Sequence, residues 1–201
     1  MDLMKSILAV GFIFLFSSAF SQSIIEWAPD VRLGLEDFQS SQTEINKELG
    51  SYSLYSGTNM DFLFQMSGYE FAFTKNFNSK VKTIFHRNSA VIIAPDSLIA
   101  SELVNFAQYS FDLTELYSRK FRQRMYEEKG AFSNFGFFKP IFDEHQIEMN
   151  AESAKVMKAT DIGRKSEMLE QEHQKVLQQI QELSDFCMEC KPPKKKKRKK
   201  N

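Results

Sequence analysis

PDSLIASELVNFAQYSFDLTELYSRKFRQRMYEEKG, residues 95–130, is the stretch on which the fold turns. Pro95, Asp96 and Ser97 form a helix-opening signal. Beyond them Ile99, Leu103, Phe106, Leu113, Tyr117 and Phe121 recur at three-, four- and seven-residue steps, the period that lines up side chains on one helix face. The last turns are basic and polar, and Gly130 ends the pattern. This spacing predicts one long helix with an apolar side for a core and a polar side for water.

Upstream, residues 51–94 alternate in the strand manner: Phe62, Phe64 and Met66 on one face, then Tyr69, Phe71 and Phe73, then Val81, Thr83 and Phe85. Breaks at Gly57–Asn59, Ser67–Gly68 and Asn76–Ser79 predict turns between antiparallel neighbours. From Ile24 to about Gln39 an extended lead-in, anchored by Trp27, Leu33, Leu35 and Phe38 and punctuated by Pro29, is expected to lie along the sheet. Downstream, Phe132, Phe135, Phe137, Phe138 and Phe142 surround Pro140 in a segment read as a loop, whose aromatics pack under a long connection rather than form a sticky patch. After residue 146 the chain turns polar and helical. Leu169, His173, Val176, Ile180 and Leu183 alternate four- and three-residue steps, but only over about two heptads, fewer than a coiled coil needs. That predicts a helix docked on the domain. The fold class is α+β: a small antiparallel sheet packed against a long helix, with additional C-terminal helices.

Composition sets the outer limits. With 201 residues and 42% hydrophobic side chains the chain can build one principal domain. Eight Gly, two Cys and 20 Phe exclude collagen-like, disulfide-dense and wholly disordered classes. The formal net charge of zero hides an asymmetry: eight basic residues and no acid among 191–200, and a cancelling Asp2 and Lys5 at the front, leave residues 22–190 with a charge of −8. Met1–Ser21 has a short head bearing Lys5, ten mostly apolar residues from Ile7 to Phe16, and small Ala19 and Ser21. This is the build of a secretory signal peptide cleaved after Ser21, and its apolar run falls short of the ~20 residues of a membrane span. No cysteine follows that would carry a lipid. The expected organisation is a signal peptide at 1–21, an α+β domain at 22–186, and a C-x-x-C with a polybasic tail at 187–201. The mature chain is expected to be exported, periplasmic or extracellular, with no transmembrane segment.

Two stretches carry a resemblance. Leu33-Gly34-Leu35-Glu36-Asp37-Phe38 is similar to a pattern of leucine, any residue, tryptophan, any residue, then Asp-Phe. Within the long helix Gln108, Phe111-Asp112-Leu113, Glu115, Leu116-Tyr117 and Arg119 look like H-E-Q-x-H-F-D-I-x-E-x-Y-x-R. Both patterns belong to the bacterial secreted family called domain of unknown function 922, a zinc-metallopeptidase-like group, and the resemblance spans roughly residues 24–185. It implies a metallopeptidase-like scaffold. Residue by residue, however, the first ligand histidine falls on Phe106, the glutamate that would activate water on Ala107, and the second histidine on Ser110. A phenyl ring offers no lone pair to zinc, and alanine accepts no proton from water. The serine-tryptophan pair of the family falls on Ser89-Ala90 and its later histidine-glycine pair on Ile162-Gly163. Asp112 and Glu115 remain as framework, expected on the polar side of the helix or, for Glu115, paired with Arg119 one turn on.

The chain has three histidines, His86, His145 and His173, with no two inside one helical turn. A divergent zinc-dependent hydrolase would have to gather them, with Glu115 or Asp112, from distant positions. Ser110 has no spaced base, no G-x-S-x-G elbow exists, and glycine-rich phosphate loops are absent. Cys187 and Cys190 form a C-x-x-C after a helix, where secretion favours a local disulfide or a bridge between copies over redox catalysis. Pro192-Pro193 separates off Lys194, Lys195, Lys196, Lys197, Arg198, Lys199 and Lys200. Alone this tail would suit a nuclear signal or a nucleic-acid arm. The signal peptide argues against both, leaving an anionic envelope surface, the acidic body of a neighbouring copy or a solubilising end. The expected function is binding or envelope structure on a scaffold that has lost catalysis, a pseudoenzyme with no cofactor or metal of its own. Its expected partner is another protein or an anionic envelope surface, and nucleic acid is not expected.

Overall fold

The structure, a computed structural model, describes residues 23–62, 65–130 and 133–192. In chain order β1 is Ile24–Glu26, β2 Glu44–Ile45, β3 Ser53–Tyr55, β4 Thr58–Phe62, α1 Gly68–Phe73, β5 Val81–His86, β6 Val91–Ala94, α2 Ser97–Glu128, α3 Phe138–Thr160 and α4 Ser166–Glu182. The α+β class, the long helix and the C-terminal helices are those expected from the sequence. No described helix is long and apolar enough to cross a membrane.

Helix α2 begins where Pro95-Asp96-Ser97 place it. The extended Asp96 accepts a hydrogen bond on its side chain from Ile99 N at 2.9 Å, and the Lys129 N–H closes the far end on Met125 O. Its 32 residues give a rod about 48 Å long. That length lets it serve three apolar clusters in turn. Leu103, Ala107 and Phe111 pack with Phe85 and Ile92 of the strands. Phe106, Tyr109, Leu113 and Tyr117 pack with Val156, Leu169, Val176 and Ile180 of α3 and α4. Phe121 and Met125 pack with Met60, Phe71, Phe77 and Ile141. Because sheets and helices surround it, α2 has no continuous water-facing side between Leu103 and Arg122, so the expected polar side is buried as well.

The strands divide between two sheets. Strand β5 lies between β1 and β4, both antiparallel to it, with Ile25 opposite Phe85 and Met60 opposite Thr83. Of the lead-in, only Ile24–Glu26 pairs in the sheet as expected, whereas Leu35–Asp37 coils into a short 3-10 helix. In the second sheet β6 pairs antiparallel with β3, Leu54 opposite Ile92, and parallel with the two-residue β2. The chain crosses between sheets at Gly57, whose φ of +66° and 2.8 Å approach of a notional Cβ to His86 O admit only glycine.

Two local expectations fail. Tyr69, Phe71 and Phe73 are not a strand: Ser67 caps the Glu70 N–H at 3.1 Å and starts α1, in which Phe71 is buried while Tyr69 and Phe73 stay exposed one turn apart. Pro140 does not mark a loop. It occupies the third position of α3, within the first turn, where a missing N–H is tolerated. The neighbouring aromatics do pack, with Phe137, Phe138 and Phe142 against the third cluster.

The α3–α4 turn is strained. Asp161, Ile162 and Gly163 take φ of 53°, 52° and 92°, and the middle one is β-branched, which that region disfavours. A Cβ on Gly163 would lie 2.6 Å from Glu102 O and 3.1 Å from Phe106 Cβ. Only glycine lets this turn close on α2. Helix α4 then docks through Leu169, Val176 and Ile180, as its spacing predicted.

Candidate functional site

The two stretches that carried the family resemblance meet in space. Leu33 N donates to Gln108 Oε1 at 2.9 Å, Asp37 accepts from Gly34 N at 2.8 Å and pairs with Arg87 at 2.9 Å, and Phe38 packs edge-on against Phe85. At the positions that the family pattern assigns to chemistry, the side chains are packed or bonded within the protein. Phe106 is 1% exposed, with its ring 5.6 Å from that of Tyr109, and Ala107 is fully buried. Ser110 donates back to Phe106 O at 3.0 Å. A hollow of about 120 Å³ remains beside Phe106 and Ser110, lined by apolar Leu54, Leu113 and Met149 and by polar Thr58, Asn150 and Ser153.

The framework carboxylates lie elsewhere on the same helix, each surrounded by donors. Asp112 accepts from Trp27 Nε1 at 2.6 Å, Gln108 Nε2 at 2.9 Å and His173 Nε2 at 2.7 Å. Since a carboxylate only accepts, His173 carries its proton on Nε2 in this contact. Glu115 accepts from Thr83 Oγ1 at 2.8 Å, Arg119 Nε at 2.9 Å and Arg122 Nη1 at 3.0 Å. Thr83 has no second proton, so Ser118 donates to it at 2.8 Å. The expected Glu115–Arg119 pair is present, but buried: Glu115 is 2%, Arg119 6% and Arg122 1% exposed. Asp112 likewise is in the interior instead of on a polar face.

The arginines extend this network to distant backbone. Arg119 Nη1 donates to Ile180 O at 2.8 Å at the end of α4. Arg122 Nη1 donates to Phe186 O at 3.0 Å and Nη2 to Val81 O at 2.7 Å. Burial lowers the Arg122 pKa and Glu115 opposes that shift. Three separate pieces of chain are thereby fixed to one helix face. Removing one partner from such a buried ion pair leaves a stranded charge, at a cost of about 3–5 kcal/mol.

Above Glu115 opens a cavity of about 400 Å³. Its inner wall is Thr83, Glu115, Arg119 and Arg122, its sides Trp27, Ala28, Pro29 and Met188, and its rim Glu26, Lys82 and Glu189. Glu26 and Lys82 pair with each other. The Arg119 guanidinium lies 5.3 Å from the Trp27 ring centre, within cation–π range. Cys187 and Cys190 form the local disulfide beside this cavity. Asn76 and Asn78 hold the Cys190 carbonyl at 3.1 and 3.0 Å, so the chain stays docked past residue 186.

The histidines do not share one centre. His173 bonds Asp112, His145 Nδ1 donates to Ile141 O at 2.7 Å within α3, and His86 ends β5. Among the described residues no group of three His, Cys, Asp or Glu converges as metal ligands do. Met1–Ser21, expected from the sequence to be a signal peptide, and the basic residues Lys194–Lys200 lie outside the described residues.

Sequence reading missed the cavity. Trp27 was seen as an apolar anchor and Arg122 as part of a polar helix end. The available signal was the i, i+4, i+7 run of Glu115, Arg119 and Arg122, which places three charges on one face of the helix. The chain matches no protein-family model, no curated protein and no solved structure.

Proposed function

We propose that this chain is an exported binding protein on a metallopeptidase-like scaffold without catalysis, and that it binds in the cavity beside Trp27. The observation that carries the reading is the engagement of both framework carboxylates. Asp112 and Glu115 face six internal donors, whereas a general base needs a lone pair turned toward substrate or water. Phe106 and Ala107 supply neither ligand nor base, and the Ser110 hydroxyl is bonded to its own helix. Export is supported by the three-part build of residues 1–21 and by the Cys187–Cys190 disulfide, which suits an oxidising compartment.

Metal analysis of the purified protein with a protease assay tests this. The expected result is no stoichiometric zinc and no chelator-sensitive hydrolysis. Stoichiometric zinc together with proteolysis abolished by a chelator overturns it.

A further inference from the structure

We infer that the short helix α1 and the C-terminal end of the chain form one docking face for an anionic lipid bilayer. Tyr69 and Phe73 enter the headgroup layer, and the basic residues 194–200 pair with lipid phosphates. The inference is independent of what the cavity beside Trp27 binds.

Exposed aromatic surface is the first argument. Tyr69 is 79% and Phe73 73% exposed, more than any other large apolar side chain among the described residues. They stand one turn apart on α1 with ring centres 4.8 Å apart, so they make one patch and not two isolated rings. Phe71 between them is buried and stacks on Phe135 at 4.6 Å, which fixes α1 to the body with the other two rings turned outward. A single exposed aromatic is ordinary, whereas a joined pair marks a contact surface.

The exit of the chain is the second argument. Asn76 Nδ2 and Asn78 Nδ2 donate to Cys190 O at 3.1 and 3.0 Å, and Asn78 Nδ2 also reaches Asp185 O at 3.3 Å. Asn76 stands three residues after Phe73, at most about 11 Å of extended chain. The C-terminal end is thus held beside the aromatic pair, and its run of seven basic residues starts at Lys194, four positions past Cys190. Within 68–80 and 185–192, Lys75, Lys80 and Lys191 offset Glu70, Asp185 and Glu189. The charge of residues 194–200 is therefore not cancelled by the segments beside which they emerge.

The size and charge of the face select its occupant. Two rings bury roughly 300–500 Å² together, short of the roughly 1,000 Å² of a specific protein interface. Symmetric pairing of two copies through this patch would also set one basic tail beside the other. A bilayer makes neither demand. Aromatic rings settle at the headgroup level, basic residues are drawn to an anionic surface within a Debye length of about 8–10 Å, and firm attachment takes two such signals acting together.

Sedimentation of residues 22–201, which hold all three packed clusters, with vesicles of phosphatidylglycerol and phosphatidylcholine tests the inference. Binding is expected to be about tenfold or more weaker to phosphatidylcholine alone, and to fall about tenfold or more in salt of about 0.5 M. Deleting residues 194–201, and separately combining Tyr69→Ser with Phe73→Ser, are each expected to weaken binding about tenfold or more with circular dichroism unchanged. In Phe73→Trp, brominated lipid is expected to quench more emission than it does in the parent, whose one tryptophan is Trp27. Equal binding to neutral vesicles, or binding untouched by either the deletion or the double substitution, overturns the inference. So does tighter binding to a single-stranded oligonucleotide than to the anionic vesicles, which would assign the face to nucleic acid. Self-association without vesicle binding would assign it to a second copy and overturns the inference as well. Stoichiometric zinc with chelator-sensitive hydrolysis would remove the binding-protein reading and leave this one standing.

Discussion

The two halves of α2 are equally buried and built on opposite physics. From Leu103 to Gln108 the helix is packed by Phe85, Ile92, Leu169 and the Gly163 turn, with Gln108 bonded to Leu33 and Asp112. From Asp112 to Arg122 it carries four charged residues that hold Trp27, Thr83, Ile180, Phe186 and Val81 by directed bonds. Where the family pattern would place chemistry there is volume filling. Where it would place framework there is charge, and the open space lies next to that charge. The absence of histidines at Phe106 and Ser110 therefore says nothing about the cavity, whose charged lining at Glu115, Arg119 and Arg122 sits further along the same helix.

That comparison can be broken most severely at Glu115. Glu115→Gln keeps the shape and removes the charge opposite Arg119 and Arg122, so the free energy from urea unfolding is expected to fall by about 3–5 kcal/mol. A loss below ~1 kcal/mol, the range of exposed pairs, would mean that the network is wet and the contrast false. The packed half is expected to respond the other way. Phe106→Leu nearly conserves volume and is expected to cost under about 1.5 kcal/mol by the same measurement. If it cost as much as Glu115→Gln, the two halves would not differ in kind.

The smallest effect is spectroscopic and lies at the seam between the halves. Burial first, then nearby glutamates, raises the Tyr109 phenol well above its ordinary value; burial and the 2.8 Å bond to Glu152 do the same for Tyr117. The folded protein thus keeps protons that the unfolded chain would release. Their contribution to stability is complete below pH about 10 and is lost as pH rises from there through the raised folded values. In an ultraviolet titration these two tyrosines are expected to lag an ordinary phenol, and Tyr109→Phe and Tyr117→Phe each to remove one lagging component. Ionisation of both near pH 10 would show that α4 does not seal the seam.

Much of the fold was legible because it is local. The start of α2 at Asp96, the docking face of α4 and the strand pattern around Val81, Thr83 and Phe85 each follow from neighbours within a few residues. Tyr69–Phe73 misled because an alternating run of aromatics fits a strand, while one serine hydroxyl at the first turn decides for a helix. In the site, Glu115–Arg119 was readable as an i, i+4 pair, while the spacing of Cys187 and Cys190 left a local disulfide and a bridge between copies both open and the structure has the local one. The contacts that make the cavity were not: Trp27 meets Asp112 across 85 positions, and Arg122 meets Phe186 across 64.

The sequence by itself determined the long helix, its opening cap, the absence of any histidine pair within one helical turn, and the split between an acidic body and a basic tail. Those are properties of residue type and short spacing. Only the tertiary structure decided that the polar side of α2 is interior, that two sheets and not one cover it, and that two arginines share a single carboxylate beside open space. The physical reason is that the meaning of a charge depends on the dielectric and the partners around it, and both are supplied by chain segments far away in sequence.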